Sequence, residues 1–246
     1  MNEELRLDGK NQEAVARATV YRVLAQAFSY PDADRLDFLR DRFAPALKDV
    51  VPLLPVHYRQ GLSGPAEGMG AAGLSPEGAE EGEYNRLFRT QVMCSPYESE
   101  YDPMASTRKG QLMADIAGFY TAFGLKLSES QKELPDHIGV ELDFMGLLLQ
   151  KEAYARLNGW EEKAGICADA ARKFLREHLG GWVFSFCGGL EKSAGPGLYR
   201  PLAGLLRGFM ESELKELGVE PLAFAGPCGP STKDDFTCPF AALESN

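Results

Sequence analysis

Residues 133–157 read ELPDHIGVELDFMGLLLQKEAYARL, and this stretch decides the fold class. Apolar side chains recur in it at helical spacing, so we predict one long, largely buried helix from Pro135 to about Leu157. Pro135 suits the first turn of a helix, because its missing N–H would have no helical partner there. Glu133 and Asp136 suit the positive end of the helix dipole. The pattern therefore predicts polar groups at the edge of a core, which is where binding sites are commonly found.

Helical spacing of apolar residues continues along most of the chain. Further helices are predicted over residues 14–28, 34–47, 75–88, 105–123, 160–179, 182–190 and 198–217. The alternation of apolar and polar residues that is typical of strands is almost absent. The sequence predicts an all-α protein, a single bundle of roughly eight to ten helices. This bundle is expected to span residues 1–218, with a flexible loop rich in Gly and Pro at residues 60–82 and an irregular tail at residues 219–246.

The charge balance limits the classes of partner. The 246 residues include 26 Lys and Arg against 36 Asp and Glu, which gives a net charge of −10. Phosphate binding needs clustered cations, so nucleic acid is an unsuitable partner, whereas a cationic peptide would be attracted. Residues 1–10 are charged and lack the apolar segment of a secretory signal, and no apolar run is long enough to span a bilayer. We therefore expect a soluble cytoplasmic protein with no membrane span.

The five cysteines are an odd number, which favours free thiols in a reducing compartment over a disulfide framework. Cys228 and Cys238 in the tail could bind a metal or form a redox pair with Cys94. Their spacing matches no ligand pattern, so ordinary thiols are favoured. Residues 226–233 resemble a phosphate loop only superficially, because the G-K-[ST] order is missing.

Three short segments together carry a family resemblance. Residues 84–88 read YNRLF, residues 96–101 read PYESEY, and residues 135–145 read PDHIGVELDFM. In this order, and in an all-α chain of this length, they resemble the two motif blocks of the TorD/DmsD/NarJ family, which are cytoplasmic chaperones of molybdenum-containing redox enzymes. The resemblance extends from about Val15 to Gly218. One difference follows the first motif, where family members often have Gly-Pro and this chain has Arg-Thr-Gln.

The resemblance implies a TorD-like helical bundle that is not an enzyme and needs no cofactor of its own. Its partner would be the apo-form of a molybdenum oxidoreductase catalytic subunit. The chaperone would bind the twin-arginine leader of that subunit, its body, or both, until the molybdopterin cofactor is inserted. Some family members form homodimers by exchanging helices. The leader-binding positions implied by the match are Tyr84, Leu87, Phe88, Asp136 and His137, with Gly110 near the family pocket.

The chemistry of such a leader adds candidates to this set. Two arginines followed by an apolar segment require carboxylates for the guanidinium groups and an apolar groove for the rest. Tyr97 could line the groove beside the positions already named. The carboxylates that could pair with arginine are Glu98, Glu100, Asp102, Asp136, Glu141 and Asp143.

Other interpretations of the same residues stay open. Asp136 could merely stabilise the helix dipole, and the residues of the YNRLF motif could equally be core. His137 and Glu141, four apart on a helix, could ligate a metal, but no further ligand is evident, so a structural pair is favoured. His57 and His178 are isolated and are expected at the surface.

No catalytic constellation is evident in the spacing of the polar residues. Two alternatives to a chaperone remain. A metal-dependent helical enzyme would need paired Glu-x-x-His motifs, which the chain lacks. A structural subunit of the redox complex is the other alternative.

Overall fold

The computed structural model describes residues 8–62, 79–125 and 133–222. Within these ranges the regular structure is helical, with no strand beyond one isolated bridge, which confirms the predicted all-α fold class. The ten α-helices there are α1 Gly9–Ala27, α2 Ala33–Asp41, α3 Phe43–Val50, α4 at residues 56–62, α5 Ala79–Tyr84, α6 Ala105–Ala122, α7 Ile138–Leu157, α8 Glu161–Glu177, α9 Leu179–Ser193 and α10 Tyr199–Leu217. A π-helical segment, Asn85–Thr90, continues α5, and Val51–Leu53 and Glu98–Glu100 form 3-10 turns.

Helix α7 occupies the centre of the bundle, between α1 and α8. Leu142 and Met145 are fully buried, as the helical spacing of the apolar residues predicted. Gly146 brings α7 close to α1, because a Cβ at that position would lie 2.9 Å from Arg22 Cγ and 3.2 Å from the carbonyl oxygen of Ala18. The central helix is thus fixed by close packing on its α1 side.

A buried ion pair connects three helices. Glu213 of α10 accepts hydrogen bonds from Arg17 Nε and Nη2 of α1 at 2.6 and 2.8 Å. It also accepts from the hydroxyl groups of Tyr58 on α4 at 2.7 Å and of Tyr21 on α1 at 3.0 Å. Burying a carboxylate is costly unless charged and polar partners surround it, and here four donors do so. The network therefore holds α1, α4 and α10 in one arrangement.

Two helix boundaries differ from the prediction. Helix α7 begins at Ile138, with His137 as its N-cap, so Pro135 and Asp136 precede the helix instead of forming its first turn. The backbone N–H of Ile138 donates to the carbonyl oxygen of Pro96 at 2.8 Å, which draws this segment away from a helical path. The helix predicted over residues 34–47 is two helices, α2 and α3, separated at Arg42.

The predicted loop at residues 60–82 is helical at both ends. Residues 60–62 belong to α4, where Leu62 is fully buried, and Ala79 begins α5. Leu62 packs into the core at the first of these ends, which fixes residues 60–62 against the bundle. Residues 63–78 lie outside the described residues, as do residues 223–246 with Cys228 and Cys238. Within the described ranges, none of the helices combines the length and the apolar character that crossing a membrane requires.

Candidate functional site

The two motif segments on either side of α6 lie side by side. Tyr97 and His137 form an isolated antiparallel bridge. The N–H of Glu98 donates to the carbonyl oxygen of Asp136 at 2.9 Å, and the N–H of Ile138 donates to the carbonyl oxygen of Pro96 at 2.8 Å. The PYESEY motif is therefore joined by its backbone to the start of α7. We call these two joined segments, residues 96–101 and 133–141, the motif junction.

Asp136 and His137 hold the motif junction together from inside. Both side chains are buried. Asp136 Oδ2 accepts from the N–H of Ser99 at 3.1 Å, and His137 Nδ1 accepts from the N–H of Gly139 at 3.0 Å. Burial lowers the pKa of His137 to about 4, so the ring is neutral at pH 7 and can accept this bond. These two residues therefore cap α7 and fix the neighbouring motif.

The innermost part of the motif junction is a buried acidic cluster. Glu98 and Glu141 are both fully buried, and Glu98 Oε1 lies 3.3 Å from His178 Nδ1. The indole N–H of Trp182 donates to Glu141 Oε2 at 3.2 Å. Burial, and after it the charge of Glu98, raises the pKa of Glu141 well above its ordinary range. Burial also raises the pKa of Glu98, against the opposing effect of His178. The pKa of Glu141 is the one raised further, so burial and the neighbouring carboxylate favour its neutral form.

Three further buried atoms of the motif junction have no hydrogen-bond partner among the described residues. They are Ser99 Oγ, Asp136 Oδ1 and His137 Nε2. Buried polar atoms are normally paired, with protein or with water. These three atoms belong to residues that lie next to one another. The motif junction is therefore a polar region inside this part of the bundle.

At its outer edge the motif junction carries the carboxylate of Glu133, whose side chain is 13% exposed. The hydroxyl of Tyr97 donates to Glu133 Oε2 at 2.6 Å, and Arg89 Nη2 donates to Glu133 Oε1 at 2.9 Å. Burial alone would raise the pKa of Glu133, but the bond from Tyr97, the neighbouring His137 and the bond from Arg89 together hold it below its ordinary value. Glu133 is therefore ionised at pH 7 and partly accessible.

The aromatic and leucine side chains of the YNRLF motif lie in the core. Tyr84, Leu87 and Phe88 are buried, and Phe88 packs edge-on against Tyr199 with ring centroids 5.5 Å apart. Phe88 also stacks with Phe186 at 6.1 Å. Tyr84 and Phe88 thus pack against aromatic rings of α9 and α10, as core side chains do.

The remaining predicted site residues are spread over several surfaces. Gly110 lies exposed on α6, with open space where a Cβ would point. Glu100 pairs with Lys109 at 2.9 Å, and buried Asp102 accepts from the N–H of Met104 at 2.8 Å. Asp143 faces α1, where Arg22 lies 3.6 Å away. The motif junction therefore brings together the side chains of Tyr97, Glu98, Asp136, His137 and Glu141, but not Gly110 or the side chains of these three acids.

His178 is buried, which makes the prediction of a surface position wrong. It lies between Glu98 and Asp115, with Nε2 3.4 Å from Asp115 Oδ2. Its place at the junction of α8 and α9 could not be recognised from spacing, since its partner Glu98 is 80 residues away. Sequence reasoning also did not assign Arg89 to the site. The replacement of Gly-Pro by Arg-Thr-Gln was the one available signal.

Among the described residues, no group of three or more His, Cys, Asp or Glu side chains is arranged to hold a metal ion. His137 uses Nδ1 to cap α7, and Glu141 faces Trp182, so the pair acts structurally. Cys94, Cys167 and Cys187 are all buried.

Known proteins match this chain over most of its length. The family model described as "Nitrate reductase delta subunit" matches residues 66–188. The chlorate reductase assembly chaperone protein of Ideonella dechloratans is 31% identical over 84% of this chain and 92% of its own. The selenate reductase assembly chaperone protein of Thauera selenatis is 30% identical, over 85% of this chain and 93% of its own. The perchlorate reductase assembly chaperone protein of Dechloromonas aromatica is 26% identical, over 85% of this chain and 92% of its own. These relatives are named as assembly chaperones and not as catalysts.

Proposed function

The chain belongs to the nitrate reductase delta subunit family, and we propose that it is an assembly chaperone for the catalytic subunit of a molybdopterin-containing oxidoreductase. It binds the twin-arginine leader of that subunit, its body, or both, in the cytoplasm. It holds the apo-subunit for cofactor insertion before export. The names of the relatives, which are assembly chaperones of chlorate, selenate and perchlorate reductases, support the chaperone role.

One observation carries the leader-binding part of the proposal: an ionised carboxylate, Glu133, stands at the outer edge of the motif junction and is followed by an exposed apolar side chain. That side chain belongs to Leu134, which is 46% exposed. An arginine followed by apolar residues would find an acceptor for its guanidinium group and an adjoining apolar surface here.

The buried members of the predicted site hold Glu133 and its neighbours in position. Asp136 and His137 fix the two motifs against each other, and Glu98 and Glu141 lie directly behind them. Tyr97 reaches the surface and orients Glu133. The side chains of Tyr84, Leu87 and Phe88 support the segment that leads to the outer edge, and contact of a leader with them, or with Gly110, remains a prediction.

Calorimetric titration of the purified chain with a synthetic twin-arginine leader tests the proposal. We expect saturable binding that weakens at least about tenfold when both arginines become glutamine, because charge-assisted bonds are lost. Glu133→Gln should weaken binding by about 1.5–3 kcal/mol. Glu83→Gln, at a carboxylate that pairs with Arg86 instead, is the matched control. Equal affinity for both leaders would contradict arginine recognition.

The family description favours one alternative, a subunit that stays in the mature enzyme. Affinity capture of the tagged chain from its native cells distinguishes the two. A chaperone should retain a catalytic subunit that lacks molybdopterin and should be absent from the exported, active enzyme. Stoichiometric recovery of the chain with active enzyme would support the subunit instead.

A further inference from the structure

Arg89 rests in an enclosure made by the chain's own aromatic rings. Its guanidinium carbon lies 4.5 Å from the ring centroid of Tyr30 and 5.6 Å from that of Tyr84. These two rings meet edge to face, with centroids 5.4 Å apart. Cations are attracted to the faces of aromatic rings at such distances, and arginine is the preferred one. The guanidinium group of Arg89 therefore has an aromatic ring on two of its sides.

The third side of the enclosure is the carboxylate of Glu133. Arg89 donates to one oxygen at 2.9 Å and Tyr97 donates to the other at 2.6 Å. The oxygen that faces Arg89 is thus already oriented by a separate bond. Two tyrosine rings and an oriented carboxylate constitute a guanidinium-binding site, and we call Tyr30, Tyr84, Tyr97 and Glu133 the guanidinium box.

The occupant of the guanidinium box is replaceable, whereas the deeper acids are not accessible. The side chain of Arg89 is 42% exposed, so its pair with Glu133 is a surface pair of modest strength. Asp136 and Glu141, by contrast, are fully buried, and each binds a donor of the protein itself. Glu133 is therefore a carboxylate of the motif junction that a cation from outside can reach by displacing a single side chain.

The backbone that presents Arg89 is unusual. Arg89 lies in the π-helical segment Asn85–Thr90, and such turns are rare and frequent at functional sites. Val92, which follows, has φ 45°, a left-handed value that is unfavourable for a β-branched residue. Both features are typical of functional sites, and both lie in or directly after the segment that delivers Arg89 to the box.

We infer that Arg89 is an intramolecular placeholder in the guanidinium box and that an arginine of the client leader takes its place on binding. The identity of the ligand as a leader rests on the proposed function. The existence of a guanidinium site depends only on the geometry of the four box residues and Arg89. The experiments below separate these two parts.

Removal of the placeholder tests the box directly. Arg89→Ala should bind N-acetyl-arginine amide in a saturable manner, read as a rise in Tm and as a change in tyrosine fluorescence, whereas the unaltered chain should not. N-acetyl-lysine amide should be a much weaker ligand, because it lacks the planar guanidinium group. Arg86→Ala is the matched control, since Arg86 lies three residues earlier and pairs with Glu83 at 2.7 Å. Equal responses of the two variants to the arginine probe would overturn the inference.

A second pair of variants guards against misfolding. Arg89→Gln retains a polar side chain at this position and should also gain binding of the probe. Adding Glu133→Gln to either variant should abolish that gain. If probe binding survives the loss of Glu133, the box is not the site and the inference fails.

The leader then tests the placeholder role. Arg89→Ala should bind the twin-arginine leader roughly threefold to tenfold more tightly than the unaltered chain, because an exposed competing pair has been removed. Weaker binding by Arg89→Ala would mean that Arg89 assists the leader, which overturns the inference. If the arginine probe binds but no leader binds to any form, the guanidinium box stands and the proposed function is wrong.

Discussion

Val92 shows how one residue can store strain at the edge of a site. A left-handed backbone conformation costs a β-branched residue about 1–3 kcal/mol, and Val92 adopts φ 45° with its side chain 41% exposed. Glycine populates this region without a steric penalty. Little buried contact would be lost by removing so exposed a side chain.

Val92→Gly should therefore raise the free energy of unfolding by about 1 kcal/mol, measured by urea denaturation. Val15→Gly is the control, because Val15 is also exposed but lies inside the regular helix α1. There glycine should lower stability by about 0.5–1 kcal/mol. A loss of stability at both positions would argue against strain at Val92.

Single residues also show what sequence reasoning can find at the site. The polar start of α7 identified Asp136 and His137 as unusual, because such groups seldom precede so apolar a helix. Their actual partners could not be inferred, since the N–H of Ser99 is 37 residues from Asp136 and only the fold brings them together. Arg89 was noticed only as a departure from a motif, because its enclosure requires Tyr30, which lies three residues beyond the end of α1.

At the level of helices, the crossing of α4 and α10 depends on two glycines in contact. A Cβ on Gly208 would lie 2.3 Å from the carbonyl oxygen of Gly61 and 2.9 Å from its carbonyl carbon. These are backbone atoms, so no side-chain rotation can relieve the clash. The two helices can approach this closely only without a side chain at position 208.

Gly208→Ala should therefore destabilise the fold by at least about 1–3 kcal/mol, although alanine is the better helix former. The matched substitution Gly165→Ala lies within α8 and would meet no atom within 4 Å. It should stabilise the chain by about 0.5–1 kcal/mol. Thermal unfolding of both variants gives the comparison, and equal shifts in Tm would disprove the close crossing.

Helices were predictable where one face is continuously apolar. Both boundaries of α6, α7, α8 and α10 lie within three residues of the predicted positions. The π-helical continuation of α5 was not predictable, because its apolar residues also fit an ordinary helix. The break between α2 and α3 at Arg42 likewise leaves the helical spacing of Leu39, Phe43 and Leu47 undisturbed, and all three are buried.

For the molecule as a whole, the buried groups of the motif junction give stability two opposite dependences on pH. The pKa of His137 is lowered from 6.5 to about 4, so its contribution is complete above pH 6.5 and is lost as pH falls toward 4. The pKa of Glu141 is raised well above 4.5. Below pH 4.5 the folded and unfolded chains both hold that proton. As pH rises further only the unfolded chain releases it, so the contribution is lost toward high pH.

Above pH 6.5, where the effect of His137 is complete, Glu141 should dominate. The free energy of unfolding should fall by up to about 1.4 kcal/mol per pH unit between pH 6.5 and 8. Glu141→Gln should flatten this slope and stabilise the chain at pH 8 by about 1–3 kcal/mol. The amide of glutamine is neutral at every pH in this range, so it needs no bound proton to be buried. Its carbonyl oxygen can still accept from the indole N–H of Trp182.

Denaturation followed by tryptophan fluorescence at pH 6.5, 7.2 and 8 is the appropriate measurement for these slopes. Glu220→Gln removes an exposed carboxylate and should leave the slope of the unaltered chain in place. If Glu141→Gln shows that same slope, Glu141 is already ionised in the folded chain and the proton lies elsewhere in the acidic cluster. A flattened slope would instead mean that this bundle keeps a neutral carboxyl group directly behind the motifs that present Glu133. The acidic charge available to a cationic leader would then be concentrated at the outer edge and not in the interior.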